Sequence, residues 1–594
     1  MSVMPWWSAG VRSQYAPLDS LNNETLKALR ICRPTFMKET SSSMPCPPST
    51  LFSQTACTLL SALLLISCGS LPKKNIVNTQ ITSRSAPVRS FSGDYPRYRG
   101  TDFLTFQELK QLLENPKPEG KLQAKLEKLL NTPLISNEAY YQGKRPTRLQ
   151  NPQMGDYLRI ATWNVEKSIR MKEVTEMLGS EIAFEKLMDQ RGAPKGSPAY
   201  EEVRRERQRL LTADVLLLQE MDIGISRSEY RNVAQELART LGMNYAYAPQ
   251  QLEIDPVLLG LESIPDGRGG MVRHQPDEAR YKGVFGLAIL SRYPIKSAKS
   301  FQLEAQPYDW YAGEKARRDL AEGARRIATE IVFDNEIVRE MKIGGRIFFS
   351  VDLDVPGLPD NTLTVVNNHL EIKARPHDRE AQMAEILAQI QTIPHTVVMA
   401  GDHNSSKADM SPTSLTRIFS RTTTDPETWL SVSMDLLLAA PAALNSGRVL
   451  LNATKNLHSP LAPHIPVVLP NKTRRMFVNI EDFRFSDGGR FDFRGDKERS
   501  INRSSAKLAN SNEKALKGQT PTFRVQRPIG PLGRSRLDWI FVKAPPSAQP
   551  HPDSYRLAPH YGETLSGLIE GLNIRLSDHS PCVADIPLQE PPGV

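Results

Sequence analysis

From residue 158 onward the chain alternates short, nearly unbroken apolar runs with stretches whose apolar positions recur every three or four residues. Leu158-Arg-Ile-Ala-Thr-Trp-Asn164, Ala213-Asp-Val-Leu-Leu-Leu-Gln219, Val284 to Leu290, Asn361 to Asn367, Thr396 to Ala400, Leu537 to Val542 and Pro581 to Pro587 are of the first kind. They are too short for buried helices, and apolar side chains at successive positions need cover on both sides, so each reads as a strand inside a layered sheet. Tyr200 to Leu211, Asn232 to Leu241 and Arg379 to Ile390 are of the second kind and read as amphipathic helices. Strands alternating with helices predict an α/β fold.

Ahead of this body, Phe106, Leu109, Leu112 and Leu113, then Leu122, Leu126, Leu129 and Leu130, fall at helical spacing on either side of Asn115-Pro116. A helical pair within an N-terminal arm, residues 99–153, is expected there. Residues 69–98 are rich in Ser, Pro, Arg and Lys without apolar period, the composition of a tether. Earlier still, Thr58-Leu-Leu-Ser-Ala-Leu-Leu-Leu-Ile-Ser-Cys68 is an apolar run too short to span a bilayer, which needs roughly 20 residues. It resembles a bacterial lipoprotein signal: Leu65-Ile66-Ser67-Cys68 is similar to a lipobox, which implies lipidation of Cys68 and anchorage in the cell envelope. Gly69 after that cysteine resembles lipoproteins sent on to the outer membrane. Residues 1–36 carry no such pattern, and Met37-Lys38 is where a signal of this type would open.

Composition excludes some classes and locates the charge. With 39% hydrophobic and 24% charged residues the chain is neither a polytopic membrane protein nor wholly disordered. Four of the five cysteines lie in the first 68 residues, so no disulfide framework is expected in the body. The net charge of +9 is concentrated. Between the strand ending near Asp402 and the one near Asp538 runs a long, weakly periodic, Ser/Asn/Pro-rich insertion, about 405–535. Residues 405–536 hold 21 Lys and Arg against 11 Asp and Glu, which alone carries +10. Residues 501–536 are the most basic part, a candidate phosphate-backbone track. Phe523 is the only aromatic there, so no base-stacking signature accompanies it.

The candidate chemistry sits at the strand ends. Asn164 closes Ala-Thr-Trp-Asn, and Glu220 follows Leu-Leu-Leu-Gln. His369 ends Val-Val-Asn-Asn-His, while Asp402 and Asn404 lie in Met-Ala-Gly-Asp-His-Asn. Asp538 opens Asp-Trp-Ile-Phe, and Asp578-His579 lies in Leu-Ser-Asp-His-Ser-Pro. One polar residue capping an apolar strand is ordinary turn chemistry; six such positions are not explained that way. Carboxylate and amide oxygens without a Cys/His cluster suit a hard cation, Mg²⁺ or Mn²⁺. Such a cation with two histidines is the equipment for in-line attack of water on a phosphate ester.

In this order the blocks resemble the endonuclease/exonuclease/phosphatase superfamily, which includes deoxyribonuclease I, exonuclease III, inositol-polyphosphate phosphatases and neutral sphingomyelinases. Phe285-Gly-Leu-Ala-Ile-Leu-Ser-Arg-Tyr-Pro-Ile295 fits the same pattern. The resemblance implies a four-layer α/β/β/α sandwich of two packed mixed sheets flanked by helices, spanning residues 154–590 with the basic insertion inside it. It implies Glu220 as principal metal ligand with Asn164 and Asp578 close by. Asp402 would be the base that, with Asn404, positions the attacking water. His579 would act on the scissile phosphate with Asp538 orienting its ring, and His369 would be a second phosphate-facing histidine. His403 replaces the commoner Phe of Gly-Asp-Phe-Asn and is read as packing. Arg379 and Gln382 are assigned to structure, and His377 and His395 to the surface. Arg227, seven residues after Glu220, is a candidate for a substrate phosphate because guanidinium forks match phosphate oxygens.

The expected activity is hydrolysis of nucleic-acid phosphodiesters by a metal-dependent phosphodiesterase. The alternatives are a phosphomonoesterase or phospholipid phosphodiesterase with the same chemistry, and, more remotely, a non-catalytic binding module. The expected partners are the phosphate-ester substrate and a membrane reached through Cys68.

Overall fold

The computed structural model of the chain describes residues 83–88, 91, 93–151, 155–254, 262–265, 271–274, 276–315, 341–405, 473–491, 521–529, 532–543 and 561–588. The signal region with Cys68, most of the tether and most of the basic insertion lie outside the described residues.

The first half of the body runs α1 (Phe106–Glu114), α2 (Gly120–Asn131), β1 (Leu134–Ser136), β2 (Gly155–Asn164), α3 (Met171–Leu178), α4 (Glu181–Gln190), α5 (Pro198–Leu211), β3 (Val215–Ile223), α6 (Val233–Leu241), β4 (Asn244–Glu253) and β5 (Val284–Ser291). The second half runs β6 (Ile295–Gln302), β7 (Lys342–Gly344), β8 (Ile347–Asp354), β9 (Thr362–His369), α7 (Pro376–Ile390), β10 (Thr396–Asp402), α8 (Arg474–Asp482), β11 (Asp538–Lys543) and β12 (Cys582–Pro587).

Two mixed sheets result. The first has the order β12-β2-β3-β5-β4, with β1 and β7 both on β4, and shorter strands bring it to eleven among the described residues. The second is β6-β8-β9-β10-β11. Each contains one parallel neighbour pair, β2 with β3 and β9 with β10, while the neighbours of both pairs run antiparallel. The 99–153 segment does more than carry helices: β1 pairs with β4, and Thr147–Asn151 pairs with β2, so it is sewn into the first sheet.

The apolar runs have the physical cause the pattern predicts. Because successive strand side chains point to opposite faces, Val215 and Leu217 face the second sheet while Leu216 and Leu218 face helices. In the second sheet Val365 and Val398 face inward and Val366, Val397 and Met399 face out onto α7 and α8. Three apolar cores thus separate four layers. One lies between α3–α6 and the first sheet, one between the sheets, and one between the second sheet and α7 with α8. Helix ends are set locally. Ser197 accepts from the Tyr200 amide and Pro198 opens α5, while Asn232 caps α6 and Gly242 ends it in the left-handed region. No helix among the described residues is long and apolar enough to cross a membrane.

Candidate active site

The site lies where the parallel pairs of both sheets run out. In the first sheet Asn164 is the register mate of Gln219, and Glu220 follows immediately. In the second, the β9–β10 register sets His369 beside Asp402 and the β10–β11 register sets Asp402 beside Asp538, so three side chains stand abreast on neighbouring strands. Gly401 permits this close approach. Its φ is 143°, and a Cβ there would lie 1.9 Å from the carbonyl oxygen of Asn368 on β9. Just behind, Gln219 Nε2 donates to Asn367 Oδ1 at 2.7 Å, and Asn367 Nδ2 donates to the Leu218 and Ala288 carbonyls, a buried link between the two sheets. A buried polar group left unpaired costs about 1–3 kcal/mol, so this link penalises any sliding of one sheet on the other.

Asp402 Oδ2 is the centre of the arrangement. Asn164 Nδ2 donates to it at 3.1 Å, and the Nε2 atoms of His369 and His579 face it from 3.7 and 3.8 Å. The other carboxylate oxygen accepts the Asn404 amide at 2.7 Å; Asn404 itself is left-handed, with φ 46°, and its side chain donates to the Leu370 carbonyl. Burial pushes the Asp402 carboxyl up to about 7, opposed by His579 and reinforced by Asp538. His579 Nδ1 lies 2.7 Å from Asp538 Oδ2. Burial opposes charge on this ring, but Asp538, Asp402 and Asp578 outweigh it and hold the imidazole well above its ordinary value, hence protonated. His369 goes the other way. Burial, with Arg346 and His579 nearby, holds it well below the ordinary value and neutral.

Glu220 stands at a bulge of β3 against β5, with φ 63°. Its Oε1 lies 3.3 Å from Asn164 Nδ2 and 3.8 Å from His369 Nε2, and its Oε2 accepts the Lys167 amide at 2.7 Å. That amide belongs to an unusual segment in which Glu166, Lys167 and Ser168 have φ values of 49°, 53° and 56°. A left-handed L-residue costs about 1–2 kcal/mol, and here the cost is offset by bonds from the site. Asn164 Oδ1 accepts the Glu166 amide, and Ser168 Oγ donates to the Glu220 carbonyl. Glu166 is a site residue that sequence reasoning missed. Its carboxyl is raised to about 7, by burial first and then by Asp578 and Glu220, while Arg170 at 2.9 Å and Arg575 at 3.6 Å pull it down. The signal was an acidic residue two positions beyond the strand-ending Asn164. Asp578 is half-buried, and its charge reaches both Glu166 and His579.

The structure thus brings together Asn164, Glu220, His369, Asp402, Asn404, Asp538 and His579, with Asp578 on the flank. Arg227 is a correction. Its guanidinium is committed to buried Asp222 at 2.8 Å and Glu253 at 2.7 Å, and its Nε donates to the Lys167 carbonyl, so it braces the Glu166–Ser168 segment instead of meeting substrate. His403 points away from the site, packs on the Phe541 ring and is held down at about 3 by burial. Arg379 donates to Ser405 Oγ and to the Glu371 and Ala374 carbonyls, and Gln382 accepts the Glu371 amide, so both brace the loops leaving His369 and Asn404. His377 is exposed beside Asp378, and His395, just ahead of β10, meets Thr364 on β9. Phe523, at the end of the insertion, packs its ring 5.1 Å from that of His579.

A family model described as the endonuclease/exonuclease/phosphatase family matches residues 161–579. Among solved structures, the chain is similar to an endonuclease/exonuclease/phosphatase from Beutenbergia cavernae at 14% identity, covering 73% of this chain and 72% of that one, with a TM-score of 0.28. It is also similar to an endonuclease/exonuclease/phosphatase family protein from Leptotrichia buccalis at 12% identity, covering 72% and 99%, with a TM-score of 0.30. A 3′-5′ exonuclease from Neisseria meningitidis matches at 14% identity, covering 72% and 99%, with a TM-score of 0.32. No curated protein matches the sequence. The family match begins in β2, three residues before Asn164, and ends on His579, so it frames the whole site, and the chain belongs to the endonuclease/exonuclease/phosphatase family of phosphoester hydrolases.

Proposed function

We propose that the protein is a metal-dependent phosphodiesterase that hydrolyses nucleic-acid phosphodiester bonds. The observation that carries this reading is the convergence of the Nε2 atoms of His369 and His579 on one oxygen of Asp402, with Glu220 and Asn164 adjoining. A divalent cation, Mg²⁺ or Mn²⁺, fits the residues present. The Glu166 carboxyl, raised by burial first and then by the charges of Asp578 and Glu220, adds a hard oxygen donor beside those of Glu220 and Asp578. Glu220, with Asp578 and Asn164, would hold it, and when bound it would offset charge on the phosphoryl oxygens.

The remaining chemistry belongs to the chain. Asp402, with its carboxyl near neutrality, takes the proton of the attacking water, and Asn404 holds the carboxylate in place through its amide. His579, charged and oriented by Asp538, lies beside the developing negative charge and donates a proton to the leaving oxygen. His369, neutral, donates a hydrogen bond to a phosphoryl oxygen without adding charge next to His579. The basic insertion supports a nucleic-acid substrate through its +10 charge. The lipoprotein-like segment at Cys68 supports a place in the cell envelope.

The deciding experiment is nicking of supercoiled plasmid by the purified protein with Mg²⁺, with EDTA, and by Asp402→Asn. Metal-dependent nicking abolished by the substitution is expected. No nicking by a folded, metal-binding protein, with hydrolysis of a phosphomonoester or a phospholipid head group instead, would overturn the nucleic-acid assignment.

A further inference from the structure

The Asp538–His579 pair straddles the two sheets. Asp538 opens β11 in the second sheet, beside Asp402, whereas His579 stands just ahead of β12, which pairs with β2 in the first. The backbone of His579 is anchored on its own side: its carbonyl accepts Trp163 Nε1 at 2.8 Å and its amide donates to Ser577 Oγ at 3.1 Å. Asp538 has less to orient it. Its Oδ1 is buried with no hydrogen-bond partner among the described residues, so the contact of Oδ2 with His579 Nδ1 at 2.7 Å is not shared with a second donor. The direction of this carboxylate therefore follows from the backbone that carries it.

That backbone is held by Thr522, near the end of the basic insertion and 1% exposed. Thr522 Oγ1 accepts the Leu537 and Asp538 amides at 2.9 and 3.1 Å, and the Thr522 amide donates to the Ser535 carbonyl at 3.0 Å. On the other side the Thr522 carbonyl accepts the Ser580 amide at 2.6 Å. One residue thus bonds to the residue bearing the carboxylate and to the residue after the imidazole. Its neighbours continue the seam: the Arg524 amide donates to the Asp578 carbonyl at 3.0 Å, and Phe523 packs on the His579 ring. The carbonyl bond to Ser580 survives any side chain at 522, so a substitution there acts on the Asp538 side alone. Serine keeps the acceptor. Valine has the shape of threonine but takes the acceptor from two amides, and an amide that loses its acceptor in a buried place either stays unpaired at a cost or shifts the backbone.

We propose that Thr522 is a positioning residue for the Asp538–His579 pair, its hydroxyl fixing the start of β11 so that the carboxylate meets His579 Nδ1 across the seam between the sheets. The inference rests on the reading of His579 as the group that acts on the scissile phosphate.

The test compares Thr522→Val, Thr522→Ser and Asp538→Asn in the full-length protein, on the phosphoester that the wild type hydrolyses and below every melting midpoint. Thr522→Val is expected to lower kcat by about 100-fold, the effect of an ångström-scale misplacement, with KM within about threefold of wild type. Thr522→Ser restores the rate. In the Asp538→Asn background Thr522→Val should cost less than about threefold, because residues that act as a unit are not additive; a purely structural role would multiply the two losses. Should Thr522→Val fail to fold, Thr522→Ala, which gives water room to reach the two amides, takes its place. A second readout needs no substrate. The Nδ1 proton of His579, identified in the downfield proton NMR spectrum of the metal-free protein by its absence from His579→Ala, should persist in Thr522→Ser and be shifted or lost in Thr522→Val. A folded Thr522→Val with an unchanged resonance, or with an unchanged kcat where Asp538→Asn is slow, would overturn the proposal. Asp538→Asn at the wild-type rate would instead sink the reading of the pair as catalytic, and the resonance alone then decides whether Thr522 positions it.

Discussion

His369 and His579 face the same carboxylate oxygen, and the protein shifts their protonation in opposite directions. Asp538 sits 2.7 Å from His579 Nδ1 and favours charge there, whereas His369 Nδ1 is buried with no partner among the described residues and burial, with Arg346 nearby, disfavours charge on that ring. Asp538→Asn removes one of the charges that raise His579 and leaves the lowering effect of burial, so the imidazolium is lost at a lower pH. If the charged ring is the acid, the alkaline limb of the rate profile moves to lower pH and the rate at pH 8 falls by about 100-fold or more, with a smaller deficit at pH 6; a parallel loss at all pH values would assign Asp538 a purely structural role. Glu220→Gln keeps the acceptor for the Lys167 amide but removes a ligand charge. Its expected effect is a higher Mg²⁺ concentration at half-maximal rate, and an unchanged metal titration would dismiss Glu220 as ligand. These positions were legible because each is a polar residue terminating an apolar run. Glu166 was not, since its place depends on three consecutive left-handed residues that no local pattern announces. Arg227 was misread for the reverse reason: nothing in the sequence marks Asp222 and Glu253 as its buried partners.

Strand ends carry the function because the parallel pairs deliver side chains from different strands to the same level. The expected strands at Asn361–Asn367 and Thr396–Ala400 stop short of His369 and Asp402, yet both continue through those residues. Polar side chains end the hydrophobic signal before the backbone ladder ends, and register pairing such as His369 with Asp402 keeps the ladder going. β4, Asn244–Glu253, was missed because its buried side chains alternate Tyr with Ala before Pro and Gln, and β6 because Lys296, Ser297 and Lys299 interrupt its apolar run with partly or fully exposed polar positions at the sheet edge. Gly401 is where this layer is most sensitive. A methyl group there cannot coexist with the Asn368 carbonyl, so β10 must move from β9 and carry Asp402 with it. Gly401→Ala should destabilise the fold by on the order of 3 kcal/mol in urea denaturation. Under conditions where it is still folded, the rate should drop by about 100-fold, the effect of an ångström-scale misplacement. A variant that loses stability but keeps its rate would show that Asp402 tolerates the shift.

At the scale of the molecule, the layers are closed by a charged lock behind the apolar cores. Asp585 on β12 accepts both Nε and Nη2 of Arg159 on β2, at 2.7 and 2.9 Å, and Nη1 of Arg209 on α5 at 2.9 Å, and all three residues are almost completely buried. It ties the last strand of the chain, the one following His579, to the strand that ends in Asn164 and to the helix layer outside both. None of this was visible in sequence, because the pairing spans more than 370 residues and a lone Asp within Val-Ala-Asp-Ile-Pro has no local signature. Burial alone would raise the Asp585 carboxyl, but Arg159 and Arg209 reverse that and leave it below its ordinary 3.8. The folded-state value is therefore the depressed one. The ionised group contributes stability above about pH 4, and that contribution is lost as pH falls through the folded value. Asp585→Asn leaves two buried guanidinium groups without their shared counter-charge, which costs about 3–5 kcal/mol at neutral pH. The difference between wild type and variant should then shrink as the medium is acidified below pH 4, because protonated Asp585 is already neutral. Denaturant midpoints of both proteins at pH 7 and pH 3 measure this. A deficit as large at pH 3 as at pH 7 would mean that the carboxylate acts through its shape and hydrogen bonds, not its charge.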